Sequence, residues 1–168
     1  PESPEELFAQ VHREHLGLVI KTAHAFAPEP GDRDDLRQEI LLALWQALPR
    51  FKAEAKLSTY VYRVALSCAL NWKRSRRRYQ IKIDLYAHEA SADTHASPPA
   101  EQPRLQWLYT RIHQLPPVDR TLILLSLEKV SYGEIAEITG LTESNIGVRL
   151  HRIKQQLVAQ SEEIKNEL

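Results

Sequence analysis

Residues 131–157 read SYGEIAEITGLTESNIGVRLHRIKQQL, and the pattern of this stretch decides the fold of the C-terminal part of the chain. Ser131 with Glu134 three positions later has the form of a capping box, in which each side chain satisfies a backbone N–H at a helix start. Gly140 tolerates the left-handed conformation of a helix stop, and Thr142 offers an oxygen that caps a second helix. The stretch therefore predicts a helix-turn-helix with steeply crossing helices.

The second of these helices has two distinct faces. Its apolar residues recur at spacings of four, three and four, which places them on one buried stripe: Ile146, Leu150, Ile153 and Leu157. The opposite face carries short polar groups first and cations later, an order that suits base edges at the N-terminal end and phosphates further along. Its candidate DNA-binding residues, with those at its flanks, are Ser144, Asn145, Val148, Arg149, His151, Arg152 and Lys154.

Two further points bear on this face. Gly147 costs about 1 kcal/mol in a helix interior relative to alanine, so its presence indicates close approach to another group. The alternative to DNA reading is an ordinary solvated face on a small helical hairpin. The joint occurrence of two caps, a turn glycine and a basic face favours DNA reading.

The charge of the chain is zero overall but unevenly distributed. It has 22 basic and 22 acidic side chains, which argues against a general polyanion binder. Residues 1–48 carry nine acidic against four basic side chains, whereas residues 71–82 carry six basic and no acidic ones. Such a block predicts a local electrostatic contact with a polyanion.

Several classes of protein are disfavoured. The single cysteine, Cys68, excludes an internal disulfide and a multi-cysteine zinc site, and a reducing cytoplasm is the compartment expected for it. No signal peptide or membrane-spanning segment is recognisable. His12 and His15 have no carboxylate cluster or cysteine ligand nearby, and no glycine-rich phosphate loop or nucleophile arrangement is present. We therefore expect no enzyme activity, cofactor, metal or small-molecule substrate.

The N-terminal part predicts two helices. Ser3, Pro4 and Glu6 form a start signal for a helix that runs to about Phe26, and a proline-rich stretch follows. The next helix, DDLRQEILLALWQAL at residues 34–48, places one apolar stripe inward. Leu42 and Trp45 fall on its opposite side, so this helix is either deeply buried or has a binding partner. The inward stripe is Leu36, Ile40, Ala43, Leu44 and Ala47.

A third helical stretch begins at about Leu57 and has an outer stripe that passes from aromatic to basic residues. The inner side is predicted to be Leu57, Val61, Val64, Cys68 and Asn71, and the outer stripe Tyr62, Leu66, Ala69, Lys73 and Arg77. Aromatic rings beside guanidinium groups suit single-stranded nucleic acid, where bases stack and phosphates pair with cations. The alternative is a core aromatic pair followed by a solvated basic helix end.

The rest of the chain completes an all-α organisation. Residues 87–103, AHEASADTHASPPAEQP, lack apolar periodicity and are expected to be an extended or disordered linker. Helices resume at RLQWLYTRIHQL, and a leucine-rich helix from about Val118 to Lys129 then supports the helix-turn-helix. No segment alternates like a strand. We expect two small helical domains, residues 1–83 and 103–168, joined by a flexible linker at residues 84–102.

With both halves in view, the chain resembles a bacterial RNA polymerase sigma factor of the extracytoplasmic-function type, in the sigma-70 family. Residues 32–51, DRDDLRQEILLALWQALPRF, are similar to the core of sigma region 2. Residues 58–78, STYVYRVALSCALNWKRSRRR, resemble the melting and minus-10 segment. Residues 115–157, LPPVDRTLILLSLEKVSYGEIAEITGLTESNIGVRLHRIKQQL, resemble region 4 with its helix-turn-helix. The order and spacing of the three segments make the resemblance specific.

The resemblance implies three sets of contact residues. Residues on or beside the surface that meets core RNA polymerase would be Asp35, Leu36, Gln38, Glu39, Leu42 and Trp45. Promoter DNA at the minus-10 and melting region would be contacted by Tyr60, Tyr62, Arg63, Ser67, Asn71, Lys73, Arg74, Arg76, Arg77 and Arg78. The minus-35 element would be contacted by the helix-turn-helix face given above. Many relatives carry Arg-Asn where this chain has Leu66 and Ser67, so the resemblance leaves the minus-10 base preference open.

The resemblance also implies a function and a regulator. The chain would direct core polymerase to promoters and be held by an anti-sigma factor, which can itself be membrane-anchored. One competing hypothesis is a helix-turn-helix regulator that binds duplex operator DNA unaided, which leaves Leu42, Trp45 and the basic segment without a joint purpose. Another is an interaction protein that never touches DNA, which the arginine-rich run and the recognition-helix pattern disfavour.

Overall fold

The computed structural model describes residues 2–86 and 102–167, with side chains at residues 2–72, 74–76 and 102–163. Seven α-helices and a 3-10 turn account for its regular structure, and the described residues contain no strand, as the sequence predicts. The helices are α1 (Pro4–Phe26), α2 (Pro30–Ala47), α3 (Leu57–Tyr86), α4 (Pro103–Gln114), α5 (Pro117–Leu127), α6 (Tyr132–Thr139) and α7 (Glu143–Glu167). The 3-10 turn, Leu48–Arg50, directly follows α2.

The start and end of α1 are those that the sequence predicts. Ser3 Oγ accepts a hydrogen bond from Glu6 N at 3.2 Å, and Ser3 N donates to Glu6 Oε2 at 2.8 Å. This reciprocal capping box, with Pro4 at the first helical position, satisfies backbone donors that the helix cannot pair internally.

Helix α2 begins earlier than predicted. Pro30 and Gly31 belong to its first turn instead of separating it from α1, because proline needs no N–H there and has a φ suited to a helix. Arg33 holds the short connection by donating to the carbonyl oxygens of Ala27 at 3.1 Å and Pro28 at 2.8 Å. The inward stripe is confirmed at its centre, where Leu36, Ile40 and Leu44 are fully buried.

Helix α3 packs against α1 and α2 on one side and against α6 on another. Val61 and Ala65 are fully buried. Ala69 is fully buried as well and Leu66 is 4% exposed, although the sequence places both on the outer stripe. That part of the prediction is wrong. It assumed that α3 buries only one face, whereas α3 has neighbours on two sides. The helix also continues through Tyr86, past the expected domain end, and most of the predicted linker, residues 87–101, lies outside the described residues.

The C-terminal helices pack around the leucine-rich α5. Helix α5 contacts α7, and Leu122, Leu124 and Leu125 belong to the same core as the apolar stripe of α7, in which Ile146, Leu150 and Ile153 are buried as predicted and Leu157 is partly buried. Arg120, only 3% exposed, ends α4 by donating to the carbonyl oxygens of Ile112 at 3.2 Å, His113 at 2.7 Å and Leu115 at 2.9 Å. These bonds satisfy carbonyls that the end of a helix leaves without a partner.

The N-terminal and C-terminal helices touch each other. The ring of His24 in α1 stacks on Tyr109 in α4 with centroids 3.6 Å apart, and a ring nitrogen of His113 lies 2.7 Å from the carbonyl oxygen of His24. The Arg120 guanidinium lies 5.3 Å from the centre of the Phe26 ring. Contacts between α1 and α4, α1 and α5, and α3 and α6 therefore hold the two halves in one arrangement.

Candidate nucleic-acid interface

The helix-turn-helix has the local geometry that its sequence predicts, with one difference. Gly140 adopts a left-handed φ of 76°, and Thr142 Oγ1 accepts from Asn145 N at 3.2 Å to start α7. Ser131 Oγ likewise accepts from Glu134 N at 3.3 Å. The difference is that the Glu134 carboxylate has a second partner: its Oε2 accepts from the Ser131 hydroxyl, and its Oε1 accepts from Lys56 Nζ.

The predicted DNA-binding face of α7 is open to solvent. Val148 is 66% exposed and Ser144, Asn145, His151, Arg152 and Lys154 are also exposed, whereas Arg149 is partly buried. Gly147 has a neighbour, because a Cβ at this position would lie 3.4 Å from the Tyr132 ring at the start of α6. That is ordinary contact distance, so the close approach predicted for Gly147 is to this ring and leaves room for alanine.

Arg149 joins α7 to α5. Its Nε donates to Asn145 Oδ1 at 2.9 Å, and its Nη1 donates to Asp119 Oδ1 at 2.8 Å. Asp119 is 7% exposed and lies in the first turn of α5. The Nη2 of Arg152 is 4.0 Å from the other oxygen of Asp119, too far for a hydrogen bond. The recognition helix is therefore fixed to its supporting helix by a partly buried ion pair.

The predicted minus-10 residues of α3 line an open cavity beside α2. Arg63, Ser67 and Asn71 contribute to a volume of about 750 Å³, together with Glu39, Ala43, Val64, Cys68, Trp72 and Ser75. Burial raises the pKa of the Cys68 thiol, and the charge of Glu39 raises it further. The structure thus brings part of the predicted minus-10 set onto one wall.

Other residues of that set have contacts within the protein. Tyr60 donates its hydroxyl to the carbonyl oxygen of Ala47 at 2.8 Å and packs against Phe51, which fixes the connection between α2 and α3. Arg76 pairs with Asp32 and lies 5.6 Å from the centre of the Trp72 ring. Arg74 is exposed. The side chains of Lys73, Arg77 and Arg78 lie outside the described side chains.

The outer face of α2 carries exposed apolar side chains. Leu42 is 52% exposed and Trp45 is 44% exposed, and the Trp45 ring meets Phe8 edge-on at 5.1 Å between centroids. Leu42 also lines a shallow recess of about 260 Å³ with Asp35, Gln38, Glu39 and Trp72. Leu36 is fully buried, so its predicted place among residues that meet a partner is corrected: its side chain lies beneath that surface, in the core.

A third set of contacts joins the α3 surface to the helix-turn-helix. Lys56 Nζ lies 2.7 Å from Glu134 Oε1, and Arg63 donates to the carbonyl oxygen of Glu137 from Nη2 at 2.6 Å and from Nε at 3.2 Å. Burial raises the pKa of Tyr62 to about 12, with smaller contributions from the charges of Glu128 and Glu134. A gap of about 380 Å³ remains in this contact, lined by Arg63, Leu66, Ser67, Leu70, Arg74, Pro117, Val118, Thr121, Ile138, Thr139 and Leu141.

Comparison with known proteins identifies both halves. The sigma-70 region 2 family matches residues 11–79, and the sigma-70 region 4 family matches residues 105–157. The chain belongs to the sigma-70 family. It is similar to RNA polymerase sigma factor YlaC of Bacillus subtilis, with 26% identity over 161 residues, 93% of this chain and 90% of that protein. It is also similar to the extracytoplasmic-function sigma-E factor of Escherichia coli K12, with 29% identity, 83% of this chain and 82% of that protein.

Solved sigma factors share the fold. The sigma factor RpoE of Bartonella quintana, in co-crystals with the anti-sigma factor NepR, superposes with a TM-score of 0.69 at 20% identity, over 89% of this chain and 93% of that one. As a sigma factor of the extracytoplasmic-function type, the chain binds core RNA polymerase and directs promoter recognition and transcription initiation. The three surfaces described above are its candidate contact surfaces.

Two further features are absent from the described residues. Across residues 2–86 and 102–167, no helix is both long and apolar enough to cross a membrane. The same residues contain no group of three or more histidine, cysteine or acidic side chains placed to hold a metal ion.

Sequence reasoning missed three residues of this sigma factor's surfaces. Lys56 and Asp119 act through partners 78 and 30 residues away in the chain, so no local pattern points to them. Phe8 lies on α1 and supports Trp45 from another helix. The available signal for Asp119 was its place in the first turn of a helix, which is common to many acidic residues.

Proposed function

We propose that this sigma factor divides its contacts among three surfaces. The outer face of α2 binds core polymerase, the α3 surface binds promoter DNA at the minus-10 region, and the exposed face of α7 binds the minus-35 duplex. The observation that carries the proposal is the coexistence of an exposed apolar pair on α2 with an exposed polar and basic face on α7. A DNA-binding protein that works alone has no need for the exposed apolar pair on α2.

The polymerase surface is argued from burial. Helix α2 buries Leu36, Ile40 and Leu44 on one face, so it packs on the core without the side chains of its opposite side. Trp45 and Leu42 nevertheless remain about half exposed, and Phe8 holds the indole in place. A held, partly exposed tryptophan beside a leucine is a typical anchor of a protein interface. Asp35, Gln38 and Glu39 border the pair and supply a polar rim.

The minus-10 surface is argued from shape and chemistry. The cavity beside α2 is walled by Ser67 and Asn71, which offer hydrogen bonds to a base, and by Trp72, which offers a ring for stacking. Arg63 at its rim and Arg74 nearby can meet phosphates. Lys73, Arg76, Arg77 and Arg78 continue the basic run in the sequence and extend this path along the backbone.

The minus-35 surface is argued from α7. Ser144, Asn145 and Val148 lie at the exposed N-terminal part of the helix, the part that enters a major groove in helix-turn-helix proteins. His151, Arg152 and Lys154 follow and suit the phosphates. Arg149 belongs to this arc, but its described contacts are with Asn145 and Asp119.

Regulation by an anti-sigma factor follows from the same surfaces. RpoE of Bartonella quintana and CnrH were each solved in complex with another protein, NepR and the cytosolic domain of CnrY. We propose a partner of this class that covers Leu42 and Trp45 together with part of the C-terminal domain. Covering two domains would bury more than the ~1,600 Å² of a standard interface. The sigma factor itself is proposed to act in the cytoplasm, where polymerase is, whether or not the partner is membrane-anchored.

The test of the function uses core polymerase from the source organism and run-off transcription of a genomic fragment library. The chain should make core polymerase initiate from a defined subset of fragments, and it should bind those fragments only weakly by itself. Tight, specific binding by the chain alone, with no effect on initiation, would instead identify a stand-alone helix-turn-helix regulator.

The test of regulation is gel filtration of the chain, core polymerase and the candidate anti-sigma factor. Saturating inhibitor should displace polymerase, and excess polymerase should displace inhibitor, because both need the Leu42–Trp45 pair. A stable complex of all three would show that the inhibitor leaves this pair open, and the occlusion proposal would be wrong.

A further inference from the structure

The side-chain amide of Asn145 has a fixed orientation. Asn145 is exposed in the first turn of α7, and its Oδ1 accepts from Arg149 Nε one turn further along at 2.9 Å. The Arg149 Nε carries a hydrogen and can only donate, so the atom that faces it must be the amide oxygen. The amide nitrogen, Nδ2, therefore points away from Arg149, and within the described part of the chain it donates to no protein group.

Arg149 is itself held in place from the other side. Its Nη1 donates at 2.8 Å to Asp119, a carboxylate that is 7% exposed and anchored on α5. A guanidinium has two edges that can form paired hydrogen bonds, Nε with Nη2 and Nη1 with Nη2. Each edge of Arg149 already has one nitrogen engaged, so the side chain is poorly placed for the paired contact that arginine makes with guanine.

We infer that Asn145 is a specificity-determining residue of the recognition helix, and that Arg149 and Asp119 are positioning residues that make it present only hydrogen-bond donors to DNA. The inference rests on the proposed placement of α7 in the minus-35 major groove. An asparagine that presents both its oxygen and its nitrogen matches adenine, which offers N6 as a donor and N7 as an acceptor. An asparagine that presents only its nitrogen matches guanine, whose O6 and N7 both accept.

The inference therefore states which base the helix selects. At the base pair that Asn145 reads, guanine is preferred over adenine, although a freely oriented asparagine would prefer adenine. Removal of the Arg149 Nε–H frees the oxygen of Asn145, so the preference at that same base pair should move from guanine toward adenine. A base-reading arginine behaves differently, because its loss relaxes the preference without redirecting it.

The experiment uses holoenzyme, made from the full chain and core polymerase, on a promoter library with a randomised upstream element, and the transcripts are sequenced. The variants are Asn145→Ala, Arg149→Met, which keeps the length of the side chain without a donor, and Asp119→Asn, which weakens the hold on Arg149. Arg152→Met is the matched control, since this cation is 65% exposed and has no bond to Asn145. Wild-type protein should favour guanine over adenine at one base pair by at least about fivefold.

The expected results differ among the variants. Asn145→Ala should make the bases at that pair nearly equivalent, Arg149→Met should shift the same pair toward adenine, and Asp119→Asn should shift it in the same direction by less. Arg152→Met should leave that pair unchanged. Should Arg149→Met lose helical structure by circular dichroism, Arg149→Lys serves in its place, because lysine reaches Asp119 but has no Nε–H beside Asn145.

Two outcomes overturn the inference in distinguishable ways. If Asn145→Ala erases the preference at one pair while Arg149→Met leaves it unchanged or erases a different pair, the positioning role is wrong and the placement of α7 stands. If Asn145→Ala, Arg149→Met and Arg152→Met all leave both upstream preference and overall output unchanged, the placement of α7 on the promoter is wrong as well.

Discussion

The two candidate DNA surfaces of this sigma factor, on α3 and on α7, differ in how far other parts of the protein cover them. On α3, the Arg63 guanidinium donates to a carbonyl of the helix-turn-helix, and Leu66 is 4% exposed. On α7, Val148 is 66% exposed, and among the described residues the amide nitrogen of Asn145 donates to no protein group. The surface proposed for duplex DNA is thus open, whereas part of the surface proposed for the minus-10 region is covered by the other domain. In this arrangement Nε and Nη2 of Arg63 are engaged by Glu137, so a paired contact of these two atoms with a phosphate requires the release of those bonds.

The two ion pairs between the domains are of a kind that breaks easily. Lys56 in the bridge to Glu134 has a side chain that is 75% exposed, and the second bridge, from Lys21 on α1 to Glu128, also has an exposed lysine. Exposed ion pairs contribute little to stability and are screened by salt. These two pairs are therefore expected to add little to the closed arrangement, which is also held by the His24–Tyr109 stack and the Arg120–Phe26 contact.

The largest effect is expected from a substitution in the core beneath the open surface of α7. Ile146→Ala should lower the free energy of unfolding by about 2–5 kcal/mol, because this fully buried side chain joins α7 to the rest of the domain. Val148→Ala, on the exposed face of the same helix, should change it by less than about 0.5 kcal/mol. Urea denaturation followed by circular dichroism gives both values. Similar losses for the two variants would mean that α7 is not oriented as described.

The next effect concerns the outer face of α2, which belongs to the same domain as the covered α3 surface yet is itself open. Leu42→Ala combined with Trp45→Ala should weaken binding to core polymerase by about 30-fold or more, the effect of losing an aromatic anchor. The helical fold should remain, since both side chains lie outside the buried stripe.

A polymerase pull-down and circular dichroism on the same protein test this prediction. Gln46→Ala is the matched control, because this residue is an exposed neighbour on the same helix. Unfolding of the double variant would place Trp45 and its Phe8 contact in the core and remove the main support for a partner surface.

A smaller effect is expected from charge reversal between the domains. Lys56→Glu should increase the separation of the two domains, because two carboxylates would face each other at the present site of the bridge. Adding Glu134→Lys should return the distance between the domains to that of the wild type, because the ion pair forms again with its charges exchanged. The measurement is energy transfer between one dye on α1 and one on α7, and the wild-type protein should also open as salt is raised. Equal distances in all three proteins would exclude a role for this pair in closure.

The smallest effect is a dependence of closure on pH. The hydrogen bond from Lys56 lowers the pKa of Glu134 below its ordinary value of 4.5, so the stabilisation from Glu134 is present above that value and is lost as the pH falls through the lowered pKa. The hydrogen bond to Glu134 raises the pKa of Lys56 above 10.5, so its stabilisation is present below that value and is lost as the pH rises through the raised pKa.

The same pair of dyes tests this dependence. Their separation should stay constant from about pH 5 to pH 10 and should increase in more acidic solution. The Lys56→Glu variant lacks the pair and should show no such transition. An identical acid transition in both proteins would assign it to other groups.

Much of this structure follows from local sequence signals. Caps at Ser3, Ser131 and Thr142, and the turn at Gly140, depend on residues within one helical turn, and the structure confirms where these helices begin or end. The exposure of Leu42 and Trp45 also follows from periodicity alone, because the buried stripe of α2 occupies its opposite side.

What the sequence did not predict depends on which elements meet. Leu66 is buried because α3 has a second neighbour, whereas the burial of Leu36 agrees with its place on the predicted inward stripe of α2. Arg149 reads as a base-contacting cation on a helical wheel, but its contact with Asp119 is set by the crossing of α5 and α7. Periodicity describes one helix at a time and carries no information on such crossings.

The position of Glu134 has a consequence for how the two domains separate. This carboxylate serves two partners at once: its Oε2 accepts from the Ser131 hydroxyl at the start of α6, and its Oε1 accepts from Lys56 of the other domain. The helix start and the domain contact therefore share one acidic group without competing for the same oxygen. Departure of Lys56 leaves the contact between Glu134 and Ser131 in place, so the first turn of the helix-turn-helix keeps its cap when the two domains separate.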